Sequence, residues 1–119
     1  MPRINPVDLA TADTGVQATL GAVKAKIGMV PNLFATFAQA PAVLNGNLAF
    51  ADALGNGVLT AAQREIVSLA VAQYNSCHYC LSAHTLLGKG AGLSPDAILA
   101  ARQGKGQSAI DNAIATLAL

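Results

Sequence analysis

The chain has 119 residues and a net charge of +1, with 53% hydrophobic and only 11% charged residues. This length favours one modest core, so we predict a single domain over residues 1–119. Soluble domains carry about 25% charged residues, so a monomer of this composition would have few polar side chains to cover its surface. We therefore expect a homo-oligomer that buries apolar surface; an Ala-rich monomer is the alternative.

Several classes of protein are excluded by the same composition. The seven Lys and Arg residues are scattered rather than clustered, which argues against a nucleic-acid partner. The N-terminus has no apolar segment of the secretory type, and no apolar run is as long as a membrane span. We expect a soluble, cytoplasmic protein that contacts neither nucleic acid nor membrane. In a reducing compartment, two cysteines three positions apart are typical of redox chemistry or metal binding.

Helical spacing broken by Gly and Pro runs through the sequence and predicts an all-α protein. The first helix is predicted over residues 14–27, with Gly28 as its stop signal. Prolines open the next two helices, at residues 31–40 and 41–54. The Gly-Asn-Gly run that follows marks a clear break.

The next helix has the most regular signals of the chain. Thr60 and Gln63 form a capping-box pattern, and the helix is predicted to run to Tyr74. Its middle, residues 66–72, is apolar on nearly all sides except at Ser68, which predicts a buried central helix.

The C-terminal third completes a prediction of about six helices around a central antiparallel hairpin. The Asn75-Ser76 pair is a turn and N-cap signal, so a helix should begin at Cys77 and end between residues 88 and 92. Ser94-Pro95-Asp96 opens a short helix that runs to about Arg102, and Ser108 caps the last one. That helix reaches the end of the sequence without a stop signal, which indicates a truncated C-terminal end.

All cysteines and histidines of the chain lie between residues 77 and 84. Spacings of three and then four positions place Cys77, Cys80 and His84 on one face of the predicted helix. A thiolate is the nucleophile in redox chemistry, and a pair one turn apart can close a disulfide. The alternative is two buried cysteines that act as small hydrophobic residues beside a satisfied His.

Each thiol has a feature that favours it as the reactive one, and the spacing alone does not decide between them. Cys77 lies at a helix N-terminus, where backbone N–H groups favour negative charge. Cys80 lies one turn before His84, which can accept or share its proton. Tyr79, between the cysteines, is either a core or interface aromatic or a hydroxyl donor near the sulfur.

Glu65 joins this group if the two helices form an antiparallel hairpin. At 1.5 Å per residue, Glu65 lies roughly 16 Å and His84 roughly 11–12 Å from the turn, so they differ by about one helical turn. A side chain or a bridging water can span that difference. Alternatively, Glu65 complements the dipole of its own helix and pairs with Arg64 or solvent.

The pattern Glu65-x11-Cys77-x2-Cys80-x3-His84 resembles the core motif of alkylhydroperoxidase D (AhpD-like) proteins, within the wider carboxymuconolactone decarboxylase family. The runs at residues 28–34 (GMVPNLF) and 88–94 (GKGAGLS) are also similar to that family, and the resemblance covers roughly residues 20–100. Within this stretch, residues 60–92 form the core motif region.

The resemblance implies an all-α AhpD-like domain that assembles into trimers, or into hexamers built from dimers. It implies peroxide reduction by the dithiol, with a donor such as dihydrolipoamide and no bound cofactor. A peroxiredoxin or a lipoyl-carrying protein is the implied partner. By analogy, Cys80 attacks the peroxide, Cys77 resolves it, and His84 and Glu65 move the proton.

Tyr79 departs from the pattern, because the founding enzyme has a His directly before its second cysteine. Members that decarboxylate a lactone lack the cysteine pair, so a lyase is the least supported activity. The competing hypotheses are a general disulfide reductase or redox sensor, a structural oligomer and a metal-binding module. We predict no metal site, because His78 points away and ligands on one short helix cannot surround zinc tetrahedrally.

Overall fold

The computed structural model describes residues 2–119, and within them it contains seven helices and no strand. The predicted all-α fold is confirmed, and the expected count of about six helices becomes seven, one for each helical segment predicted from the sequence. The chain divides into two compact units, Met1–Leu54 and Gly55–Leu119, and each is described by itself. The single domain stays a prediction. None of the described helices is both long and apolar enough to cross a membrane.

The first unit is built on three helices, α1 (Thr14–Ile27), α2 (Asn32–Phe37) and α3 (Pro41–Gly55), of which α3 ends at the boundary with the second unit. Gly28 ends α1 as predicted, because its φ of 91° is left-handed and its N–H bonds back to the last turn. Pro31 is the N-cap of α2, which is shorter than the predicted 31–40. A buried apolar cluster holds this unit together: Val16, Leu20, Ala38 and Leu44.

The second unit contains four helices: α4 (Ala61–Tyr74), α5 (His78–Gly90), α6 (Pro95–Arg102) and α7 (Ala109–Leu117). Helix α4 is central, since it packs against the other three. The side-chain oxygens of Thr60, Ser94 and Ser108 each accept a backbone N–H three residues on, as the cap signals predicted. The core consists of five buried residues: Ile66, Leu69, Ile98, Ala101 and Ala115.

Burial of α4 is less complete than the prediction for residues 66–72. Ile66, Leu69 and two alanines are buried, but Val71 is 36% exposed. The reason is that one face of α4 carries Val67 and Val71 into an open cavity instead of the core.

The turn between α4 and α5 also differs by one residue from the prediction. Asn75 caps the end of α4, and Ser76 adopts the left-handed conformation with φ of 54°. Cys77 donates its N–H to the carbonyl of Ala72 at 2.9 Å, which closes the end of α4. Cys77, and not Ser76, is therefore the N-cap of α5, and the helix begins at His78.

Candidate functional site

The two cysteines are joined in a disulfide across the first turn of α5. Their Cα atoms are 5.3 Å apart, which is the distance that a three-residue helical separation allows. The spacing therefore does what the sequence predicted, since two cysteines one helical turn apart close a disulfide.

The sulfur of Cys77 has a second role, as the cap of α5. Its Sγ accepts the backbone N–H of Cys80 at 3.2 Å, in the place where Ser or Asp normally supplies an oxygen. An N–H group aimed at the sulfur stabilises negative charge there, so the same contact favours a thiolate once the disulfide opens.

His84 and Glu65 are in direct contact across the hairpin. Nδ1 of His84 lies 2.7 Å from Oε2 of Glu65, and the side chains are 30% and 17% exposed. Arg64 turns away and donates to the carbonyl of Leu59 at 2.7 Å. Of the two interactions predicted for Glu65, the structure therefore shows the one with His84, as a direct contact that needs no bridging water.

This bond assigns different roles to the two ring nitrogens. An ionised carboxylate only accepts hydrogen bonds, so Nδ1 of His84 is the nitrogen that carries the proton toward Glu65. In the neutral imidazole Nε2 then has the free lone pair. The arrangement can therefore accept a proton at Nε2 while Glu65 holds the ring and stabilises the cation.

Both sulfurs and the imidazole border one cavity of about 300 Å³. Residues of α4 and the following turn form its remaining wall, and the full lining is Val67, Ser68, Val71, Ala72, Asn75, Cys77, Cys80 and His84. The Ser68 hydroxyl donates to the carbonyl of Arg64 at 3.1 Å, so it presents lone pairs to other groups. Glu65 is not among the lining residues and touches the cavity only through His84.

His78 and Tyr79 stand apart from this cavity. Both are exposed, Tyr79 by 46%, and neither belongs to the described residues that line it. The prediction that His78 points to another face agrees with this placement. Over residues 2–119, no three His, Cys, Asp or Glu side chains are grouped so that they could hold a metal ion.

The wall of the cavity is a feature that sequence reasoning missed. The apolar pattern assigns Val67 and Val71 to the buried core and marks Ser68 only as a polar interruption. A signal is present, because Ser68 lies three positions after Glu65 and therefore on the same side of α4. What the sequence lacks is the position of α5, which decides which face of α4 stays open.

The comparison with known protein families covers all residues of this site. A model described as the carboxymuconolactone decarboxylase family matches residues 41–118, which is well over half of the chain. A comparison with curated proteins gave no match.

Proposed function

The chain belongs to the carboxymuconolactone decarboxylase family, and from this premise we propose that it is a thiol-dependent peroxidase, an alkylhydroperoxidase acting through Cys77 and Cys80. The observation that supports the proposal most directly is one cavity that joins a closed CxxC disulfide to a His held by a carboxylate. A dithiol and a proton acceptor at one opening are the groups that peroxide reduction requires.

The cycle begins with the reduced protein. Cys80 gives its proton to Nε2 of His84, and the thiolate attacks one oxygen of the hydroperoxide. The O–O bond breaks, the proton passes to the leaving oxygen, and the products are an alcohol and a sulfenic acid on Cys80. Glu65 holds Nδ1 throughout, so the ring keeps one orientation during both proton transfers.

Resolution and reduction complete the cycle. The Cys77 thiol attacks the sulfur of the sulfenic acid, water leaves, and the Cys77–Cys80 bond forms. A dithiol donor such as dihydrolipoamide then attacks this disulfide, and its second thiol releases the donor as its own disulfide. Two electrons thus pass from donor to peroxide, without a bound cofactor. A lipoyl-carrying protein or a peroxiredoxin in the cytoplasm is the partner that this chemistry suits.

A general disulfide reductase or redox sensor is the second candidate, and Tyr79 favours it. Tyr79 occupies the position at which the resemblance places a His, and its side chain does not line the cavity. The cap contact on Cys77 would serve exchange with a disulfide substrate without any peroxide. Glu65 and His84 would then act only in deprotonating a thiol.

Steady-state consumption of an organic hydroperoxide in the presence of dihydrolipoamide tests the proposal. We expect turnover by the wild type and none by Cys80→Ser. Ser82→Ala is the matched control, because Ser82 lies on the same helix but bonds to the carbonyl of His78 outside the cavity. Turnover that survives in Cys80→Ser would contradict the proposal, and reduction of small disulfides without peroxide loss would favour the second candidate.

A further inference from the structure

Gly88 is the buried residue of α5 and lies against the site without lining its cavity. It follows His84 by four positions, so both lie on the same face of the helix. It also lies about as many residues after the α4–α5 turn as Glu65 lies before it, which places the two opposite each other in the hairpin.

The backbone does not explain why this position is a glycine. Gly88 is not one of the glycines with positive φ, and a glycine inside a helix is less stable than alanine by about 0.5–1 kcal/mol. The space around it gives a reason. A Cβ at this position would lie 3.3 Å from Cδ1 of Leu93, 3.7 Å from Cγ1 of Ile98 and 3.8 Å from Cβ of Glu65.

These distances limit what position 88 can hold. A single methyl group would already be in van der Waals contact with Glu65 and would require a small shift of Leu93. Any γ atom would extend the side chain beyond a Cβ that already meets Leu93, Ile98 and Glu65. The helix would then have to move away from α4, or the carboxylate would have to leave its place beside Nδ1 of His84.

We propose that Gly88 is a positioning residue for the Glu65–His84 pair. The absence of any atom beyond the Cβ position lets α5 lie at its observed distance from α4, where the carboxylate reaches the imidazole at 2.7 Å. Its importance for catalysis rests on the proposed function, but the positioning itself is independent of the substrate.

Gly90 provides a matched control within the same helix. A Cβ built on Gly90 meets nothing within 4 Å, and the residue is exposed. Gly90→Val therefore introduces the same β-branched side chain into α5 without a contact to α4. Any effect of Gly88→Val beyond that of Gly90→Val comes from the packing of position 88 against Leu93, Ile98 and Glu65, and a double variant with Glu65→Gln isolates the part that acts through Glu65.

The test measures the rate of thiol alkylation by iodoacetamide in the reduced proteins as a function of pH. We expect Glu65→Gln to displace this profile, and Gly88→Val to displace it in the same direction by at least half as much. Gly90→Val should keep the wild-type profile. In the Glu65→Gln background, Gly88→Val should add nothing, because the carboxylate charge whose position it changes is already absent.

Three results would overturn the assignment: an unchanged profile in Gly88→Val, an equal displacement in Gly90→Val, or full additivity in the double variant. If Gly88→Val does not fold, Gly88→Ser replaces it, since its γ oxygen extends one atom beyond the Cβ. Gly88→Ser should then displace the profile in the same direction by a smaller amount. A profile identical to that of the wild type would overturn the assignment. The readout is thiol alkylation and not peroxide turnover. The peroxidase proposal can therefore fail while the positioning role of Gly88 stands, and the positioning role can fail while the peroxidase proposal stands.

Discussion

The contact between His84 and Glu65 decides how a proton can move in this site. Glu65 is only 17% exposed, and a carboxylate buried to this extent needs a partner that stabilises its charge. His84 supplies that partner through Nδ1, which leaves Nε2 to exchange protons with a thiol or a substrate. A base held in one orientation loses little entropy when it acts, so its removal should be costly.

His84→Gln should therefore slow peroxide turnover by about 10²–10⁴-fold, the usual contribution of a positioned acid–base group. The chain offers His78→Gln as a matched control, because His78 is exposed at the start of the same helix and lies outside the cavity. Steady-state rates at saturating donor are the measurement. Equal rates in the two variants would remove His84 from the mechanism.

At the residue scale, the sequence predicts the placement of side chains on one helix better than it predicts contacts between two helices. Spacing alone places Cys77, Cys80 and His84 on one face, because helical geometry is fixed. It does not decide between the His84 contact and the dipole role for Glu65, because that contact depends on how closely α5 approaches α4. Gly88 controls that approach, but in the sequence it has the pattern of a helix end and gives no sign of this role.

At the scale of the helices, α5 is unusual in that a sulfur caps its N-terminus. Cys77 accepts the N–H of Cys80, and the preceding Ser76 is held in the left-handed conformation. The turn therefore delivers the first thiol directly to the positive end of the helix. The stability of the helix start and the reactivity of the thiol depend on the same atom.

Replacing Cys77 by Ser or by Ala separates these two roles. Both variants lack the disulfide, but a Ser oxygen can accept the same N–H while Ala cannot. Under reducing conditions we expect Cys77→Ala to unfold with a free energy lower than that of Cys77→Ser by about 0.5–2 kcal/mol. Urea denaturation followed by circular dichroism measures the difference. Equal stabilities would show that the cap contributes nothing.

The helix boundaries show where local signals suffice. Thr60, Ser94 and Ser108 start helices as predicted, since each cap is complete within four residues of sequence. The predicted start of α5 is one residue early, because Ser76 has the side chain of a normal cap but not the backbone conformation. A thiol is rarely a recognised cap, so the sequence gives no usable signal for this one.

At the scale of the molecule, apolar side chains remain at the surface of the chain. Those most exposed among the described large hydrophobic residues include Val58 at 99%, Leu117 at 87% and Tyr74 at 74%. With only 11% charged residues, the chain has little polar surface to offset them. We propose that a homo-oligomer, a trimer or a hexamer, buries part of this surface.

Light scattering on the eluted protein should therefore give a mass near three or six times the 12.0 kDa of one chain. Because apolar burial depends weakly on ionic strength, the mass should be unchanged in high salt. A mass of one chain at all concentrations would contradict the oligomer. It would leave the site chemistry untouched, since both cysteines, His84 and Glu65 lie on one hairpin.

The central claim is that Cys80 attacks the peroxide and Cys77 resolves it. Reduced protein is mixed with one equivalent of an organic hydroperoxide and analysed by intact mass. We expect the wild type to lose two hydrogens as its disulfide forms. Cys77→Ser should instead gain one oxygen as a sulfenic acid on Cys80, and Cys80→Ser should stay unmodified. A sulfenic acid on Cys77 in Cys80→Ser, with none on Cys80 in Cys77→Ser, would contradict the account.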